Sequence, residues 1–138
     1  MEFLLYLTPI GRELIATVIK SGYSVKENVE FCRDKNLFGY ADSKKLVICT
    51  KNIKTEKYNF NQNINETVYH ETTHTAHMCN GYKPFYIDLK DMPLPPNKLQ
   101  DIKNSVKTSS ASARMEHEAY WMEDKPKKVN YVLKKYCF

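Results

Sequence analysis

The sequence predicts an α+β fold, mostly helical, with one small sheet. Three observations predict it. Apolar residues recur at helical spacing over most of the chain. The stretch between residues 37 and 50 switches to strand-like patterning around a turn. Residues that start and stop helices bracket the periodic segments. At 138 residues the chain has the length of one domain, residues 1–138, and can bury a core without help from disulfides.

Thr8 and Pro9 open the first helix, Thr as N-cap and Pro at the first helical position. Ile10, Leu14, Val18 and Ile19 follow at helical spacing, and Gly22 closes it. Ser24 followed by Glu27 has the capping-box pattern, so a second helix is expected there, with Val25, Val29 and Cys32 as its apolar positions and Asn36 as its stop. Residues 37 to 41 and 46 to 50 read as two strands of a β-hairpin, turned by Asp42, Ser43 and Lys44 and expected to be most or all of the sheet. Residues 51 to 63 are polar and Asn-rich and read as a loop. A helix is expected from about Ile64 to Cys79, ended by Gly81. Pro84, Pro93, Pro95 and Pro96 make residues 82 to 97 an irregular crossing. Leu99, Ile102 and Val106 suggest one more helical stretch, and Ser109 to Ser112 a break or helix entry. Residues 113 to 123 read as a strong helix. Asp124, Lys125 and Pro126 start the last one, with Val129, Leu133 and Tyr136 facing inward.

Hydrophobic residues at 42% and charged residues at 27% are close to the soluble globular average. The net charge is +5, but lysines are scattered and acidic residues lie among them. A dedicated nucleic-acid binder concentrates its positive charge more, so no nucleic-acid partner is expected. The basic runs at Lys125, Lys127 and Lys128 and at Lys134 and Lys135 read as a solvated helix face. No stretch is long enough to span a bilayer, and the apolar residues 3 to 7 are short and follow Glu2, unlike a signal peptide. A cytoplasmic monomer with no membrane association is the expectation. Cys32, Cys49, Cys79 and Cys137 contain no Cys-x-x-Cys pair, which argues against a structural zinc knuckle. In a reducing compartment they are most simply buried thiols, with a Cys79–Cys137 disulfide as the alternative. The sequon Asn65-Glu66-Thr67 is read as incidental, because it falls at the start of a helix that must pack.

The residues that carry chemistry are His70-Glu71-Thr72-Thr73-His74. Positions i and i+4 of a helix lie on one face, one turn apart, so the two imidazoles can converge on one tetrahedral Zn²⁺. Glu71 can reach a water on that ion but not easily the ion itself. The metal would acidify the water, and the carboxylate would take its proton and later deliver it to the leaving group. Around the motif, Thr67, Val68, Thr72, Thr73 and Thr75 are uncharged, Ala76 is apolar, and Pro is absent, as a packed metal-bearing helix requires. A third protein ligand is needed. The metzincin arrangement would put one six residues beyond His74, but Asn80 stands there without a preceding Gly. His77 shares the helical face, yet it lies seven residues from His70, about 10 Å along the axis, too far for all three to bind one ion. It is left to support a ligand, to face substrate or to be exposed.

The better candidate lies in Arg114-Met115-Glu116-His117-Glu118-Ala119-Tyr120-Trp121. With the His70–His74 pair, these residues resemble the gluzincin clan of zinc peptidases, in which a second helix supplies a Glu ligand in the form Glu-x-x-Ala/Ser-Asp. Glu116 matches the first Glu and Ala119 the small residue. The resemblance therefore implies Glu116 as the third ligand, with Glu118 the alternative. Tyr120 departs from it: many gluzincins carry there an Asp that orients a zinc-bound His. The phenolic oxygen of Tyr120, Glu118 or a backbone carbonyl could serve instead. The order of elements over roughly residues 37 to 123 resembles the minimal gluzincins, including the ImmA/IrrE-like peptidases, and implies a compact zincin-like domain with a hairpin or small sheet on the motif helix.

The expected function is that of a zinc metallopeptidase acting on a polypeptide, with Zn²⁺ as cofactor and Glu71 as general base. The resemblance further implies a strand edge, residues 46 to 50 here, holding the extended substrate backbone. His77, His117, Tyr69, Tyr82 and Tyr120 remain open as donors to the tetrahedral oxyanion. The alternative is a zinc-binding protein without catalysis, in a structural or interaction role. Glu71 favours the enzyme, since a purely structural zinc needs the two histidines but no general base.

Overall fold

The computed structural model describes residues 1–56, 58–107 and 111–138. The fold is mostly helical α+β, in the order α1 (Pro9–Lys20), β1 (Ser24–Glu27), α2 (Glu30–Lys35), β2 (Gly39–Asp42), β3 (Lys45–Ile48), α3 (Thr50–Lys54), α4 (Phe60–Cys79), α5 (Pro96–Ser105), α6 (Ala113–Met122) and α7 (Pro126–Cys137). Short 3-10 turns at Glu2–Tyr6 and Leu89–Asp91 complete it.

α4 is the centre of the fold. Its residues 67 to 78 are all buried, between α1 and α7 on one side, α6 on another and the sheet on a third. A helix buried all round must satisfy its polar side chains internally. Three of the threonines do so by bonding back one turn, Thr67 to Asn63 O, Thr73 to Tyr69 O and Thr75 to Glu71 O, while the buried Thr72 hydroxyl has no partner among the described residues. The apolar core around it is built from Phe3, Leu14, Val18, Ile64, Val68 and Leu133 among others.

Several elements form as the sequence predicts. Thr8 caps α1, accepting from Gly11 N at 3.1 Å, with Pro9 in the first turn, and Leu14 and Val18 are buried. Ser43 and Lys44, both at positive φ, make the two-residue turn between β2 and β3. Ser112 caps α6 by accepting from Met115 N. Ser109 and Ser110 of the expected break lie outside the described residues. Val129 and Leu133 of α7 face the core, with Tyr136 packed at its margin.

Other expectations are corrected. Residues 24 to 27 form no helix. They are β1, a strand parallel to β3 in the register Ser24↔Lys45 to Glu27↔Ile48, so the sheet has three strands in the order β1-β3-β2. The second helix is only the six residues of α2, though it does stop at Asn36, whose φ of 51° is left-handed. The capping-box Glu works at long range: the Glu27 carboxylate accepts from Glu2 N at 2.9 Å, Phe3 N at 2.8 Å and Thr50 Oγ1 at 2.5 Å. The expected loop at 51 to 63 contains α3 and the first turn of α4, which starts at Phe60 rather than Ile64. Asn65 is half-buried, accepting from Thr8 N and donating to Tyr6 O.

The cysteines are not free thiols. Cys32–Cys49 and Cys79–Cys137 are disulfides, with Cα separations of 5.6 and 5.1 Å. Cys32 and Cys49 pack with Val47 on the outer face of β3, while Leu46 and Ile48 point to the main core. Cys79–Cys137 ties the end of α4 to the end of α7. Among the described residues no helix is long and apolar enough to cross a membrane.

Burial opposes ionisation of Glu27, but the Thr50 hydroxyl and the amides of Phe3 and Glu2 overcome it and hold its pKa below the usual value. A lowered folded-state pKa stabilises the fold above the unfolded pKa and stops doing so as pH falls through the folded value. Glu27→Gln is therefore expected to cost about 1–3 kcal/mol near neutral pH. Urea unfolding of both proteins across the acid range should show that difference shrinking below about pH 4. A difference that is constant with pH would contradict the charge-assisted role.

Candidate metal centre

α4 and α6 lie side by side, and the small Ala119, wholly buried, lets them approach. α4 contributes His70, Glu71 and His74, each with 8% exposure or less, and α6 contributes Glu116 at 3%. His70 Nε2 lies 3.6 Å from Glu116 Oε1, and His74 Nε2 hydrogen-bonds to the same oxygen. The helical spacing thus delivers both imidazoles to one point, with their rings 5.0 Å apart and nearly perpendicular. One donor atom from each of His70, Glu71 and His74 lies within 4.8 Å of the others. Of the two glutamates considered on α6, Glu116 is the one brought to the histidines.

Glu118 points elsewhere. It is wholly buried and accepts from His77 Nε2 at 2.9 Å, Phe85 N at 2.9 Å and Ile87 N at 3.2 Å. His77 is equally buried, outside the cleft, with its Nδ1 3.2 Å from His74 Nδ1. His117 faces away and bonds Met92 O, and the Tyr69 hydroxyl bonds Thr8 Oγ1. Tyr120 stands edge-on to His70, ring centroids 4.5 Å apart, but its hydroxyl bonds Ser105 Oγ at 3.0 Å instead of serving His70. Glu123 lies beside His70, with Oε2 at 3.6 Å from His70 Nδ1 and Oε1 at 3.2 Å from Lys98 Nζ. Sequence reasoning missed Glu123. Its signal was the spacing from Glu116: seven residues is two helical turns, which returns it to the same face.

The electrostatics follow from burial and crowding. Burial disfavours the Glu116 carboxylate, but the His74 charge and the bonds from His70 and His74 hold its pKa far below the usual range. Burial would depress His70, yet Glu116, Glu123 and the nearby Glu71 raise it well above the ordinary histidine value. Burial lifts the Glu71 pKa, only partly offset by the two histidines, which makes it a stronger base than an exposed glutamate. His77 is pushed down to about 4 by burial and stays neutral.

The centre forms the floor of a cleft of about 720 Å³. One wall is α6 with the end of α5. The other is β2, which lies at the edge of the sheet. The strand expected at that edge, β3, is instead central, paired on both sides. Gly39 of β2 allows the wall to close on Glu71. A Cβ there would lie 2.7 Å from Val47 O, 2.9 Å from Thr67 Cγ2 and 3.3 Å from Glu71 Cγ. Because one of those neighbours is backbone, Gly39→Ala is expected to destabilise the protein by about 1–3 kcal/mol in denaturant titration. Wild-type stability in that variant would contradict the close approach of strand and helix.

No curated protein and no solved structure matches the chain. One family model matches residues 3–138, almost the whole sequence. The chain belongs to the family described as Domain of unknown function (DUF8637).

Proposed function

We propose that the protein is a zinc-dependent peptidase of gluzincin type, in which His70, His74 and Glu116 hold the ion and Glu71 is the general base. The observation that carries this reading is the meeting of two imidazole Nε2 atoms at one Glu116 oxygen on the floor of an open cleft, beside a carboxylate left out of that contact. Two nitrogens and one carboxylate oxygen are a donor set that suits zinc. Ligands of one zinc ion stand roughly 3.3 Å apart; His70 Nε2 and Glu116 Oε1 are 3.6 Å apart, while His74 Nε2 and Glu116 Oε1, in hydrogen-bond contact, would have to separate to admit the ion. A Zn²⁺ held by His70, His74 and Glu116 would supply the acidity that makes water a nucleophile near neutral pH and the polarisation of the scissile carbonyl.

The residues of the chain would do the rest. Glu71 takes the proton of the attacking water and passes it to the leaving nitrogen, and its raised pKa suits both transfers. The free edge of β2 can pair with an extended peptide along the cleft. Glu123 keeps the His70 ring oriented. The substrate class is therefore a polypeptide, and a monomer suffices, since every site residue comes from one chain. The two disulfides fit a compartment where thiols are not kept reduced, so an oxidising compartment replaces the cytoplasm in our reading.

One observation favours the non-catalytic alternative. Of the five oxyanion candidates, His77, His117 and Tyr69 are committed away from the cleft and the Tyr120 hydroxyl is bonded to Ser105, which leaves Tyr82 in the cleft lining. Glu71→Gln separates the two readings. The variant is expected to keep one zinc per chain by elemental analysis and near-normal thermal stability, and to lose at least about 10²-fold in cleavage rate against a peptide library. Full turnover in the zinc-loaded variant would exclude this mechanism. No turnover by the zinc-loaded wild type would leave the binding protein as the better account.

A further inference from the structure

His77 and Glu118 are wholly buried, touch neither the cleft nor the Glu116 oxygen, and have no part in the proposed chemistry. They are nevertheless joined to it. Glu118 Oε1 is 2.9 Å from His77 Nε2, and His77 Nδ1 is 3.2 Å from His74 Nδ1. Protons can be assigned along this line. Glu118 Oε1 accepts the amide hydrogen of Phe85 and Oε2 that of Ile87, so the group meets His77 as an acceptor. The His77 Nε2 facing it must carry hydrogen. The His77 ring is sealed beneath Phe85, centroids 4.3 Å apart, where a second proton would be costly. Its Nδ1 is then a lone pair. Two facing Nδ1 atoms cannot both accept, so His74 Nδ1 supplies the hydrogen between them.

We propose that Glu118 and His77 form a positioning relay that keeps a proton on His74 Nδ1, so that the Nε2 hydrogen now directed at Glu116 is the one given up when Nε2 takes the metal. This rests on the zinc reading above. It gives the two ligand histidines different supports: His70 faces Glu123 directly, while His74 reaches a carboxylate through a second imidazole. The relay also has a foundation of its own. Phe85 stacks on His77 and Tyr136 of α7 stacks on Phe85, centroids 5.0 Å apart. Arg114 bonds Ile87 O, so the segment that holds Glu118 is anchored to α6 as well.

Long-range ¹H–¹⁵N correlation of the histidines in wild-type protein, metal-free and zinc-loaded, reads the tautomers directly. We expect His77 as the Nε2–H form in both, and His74 as the Nδ1–H form with zinc. Zinc affinity by chelator competition supplies the second readout. Glu118→Gln should weaken binding by about 10–100-fold. His77→Leu should do the same, whereas His77→Gln, which can accept from His74 and donate to Glu118, should recover most of the affinity. An Nδ1–H tautomer at His77, or a His77→Leu protein that binds zinc as tightly as wild type, overturns the relay and leaves the zinc site standing. A wild-type protein that binds no zinc sinks the zinc reading itself and the relay with it.

Discussion

A carboxylate moved from water into a protein interior loses hydration worth several kcal/mol, and it stays ionised only where fixed positive charge or donors replace that water. Glu116 is in this position, 3% exposed between two histidines. The packing of α6 against α4 depends on it. If the His70 and His74 rings did not converge on that oxygen, the two helices would trap an uncompensated charge at their contact. The same demand explains why α4 carries threonines that bond to its own backbone and why Ala119 is small. The helix–helix contact that builds the core thus builds the site, and Gly39 brings the sheet onto Glu71 from the other side.

Local signals were legible and long-range ones were not. The Thr8-Pro9 start of α1, the turn before β3 and the Ser112 cap of α6 are each decided by residues within a few positions, and they stand where the sequence put them. β1 was misread because its partner is β3, some twenty residues away, and because Ser24 and Glu27 mimic a helix start. What decides the matter is that Glu27 is engaged by residues 2, 3 and 50. The start of α4 was placed late for a similar reason. Asn-rich sequence favours turns in isolation, but Phe60 packs edge-on against Tyr6, 4.8 Å away, and draws that first turn into the helix.

The site divides in the same way. His70, Glu71 and His74 follow from helical spacing, and Glu116 from resemblance. The separation of Glu116 from Glu118 came only with structure, since the two lie on different faces of α6. Glu116 turns to the histidines and Glu118 to His77 and the 85–87 segment. The disulfides also needed structure. Spacing alone allows any pairing of four cysteines, while the fold brings Cys32 beside Cys49 and Cys79 beside Cys137. The second of these fastens the end of the motif helix five residues beyond His74.

The central claim is that α4 and α6 together offer two imidazole nitrogens and one carboxylate oxygen to a single ion. X-ray absorption at the zinc K-edge of the stoichiometrically loaded protein tests it most directly. The account predicts nitrogen and oxygen neighbours at about 2.0–2.1 Å, with the multiple-scattering pattern of two imidazoles and no sulfur. Sulfur neighbours near about 2.3 Å, or a spectrum with no imidazole scattering, would contradict it.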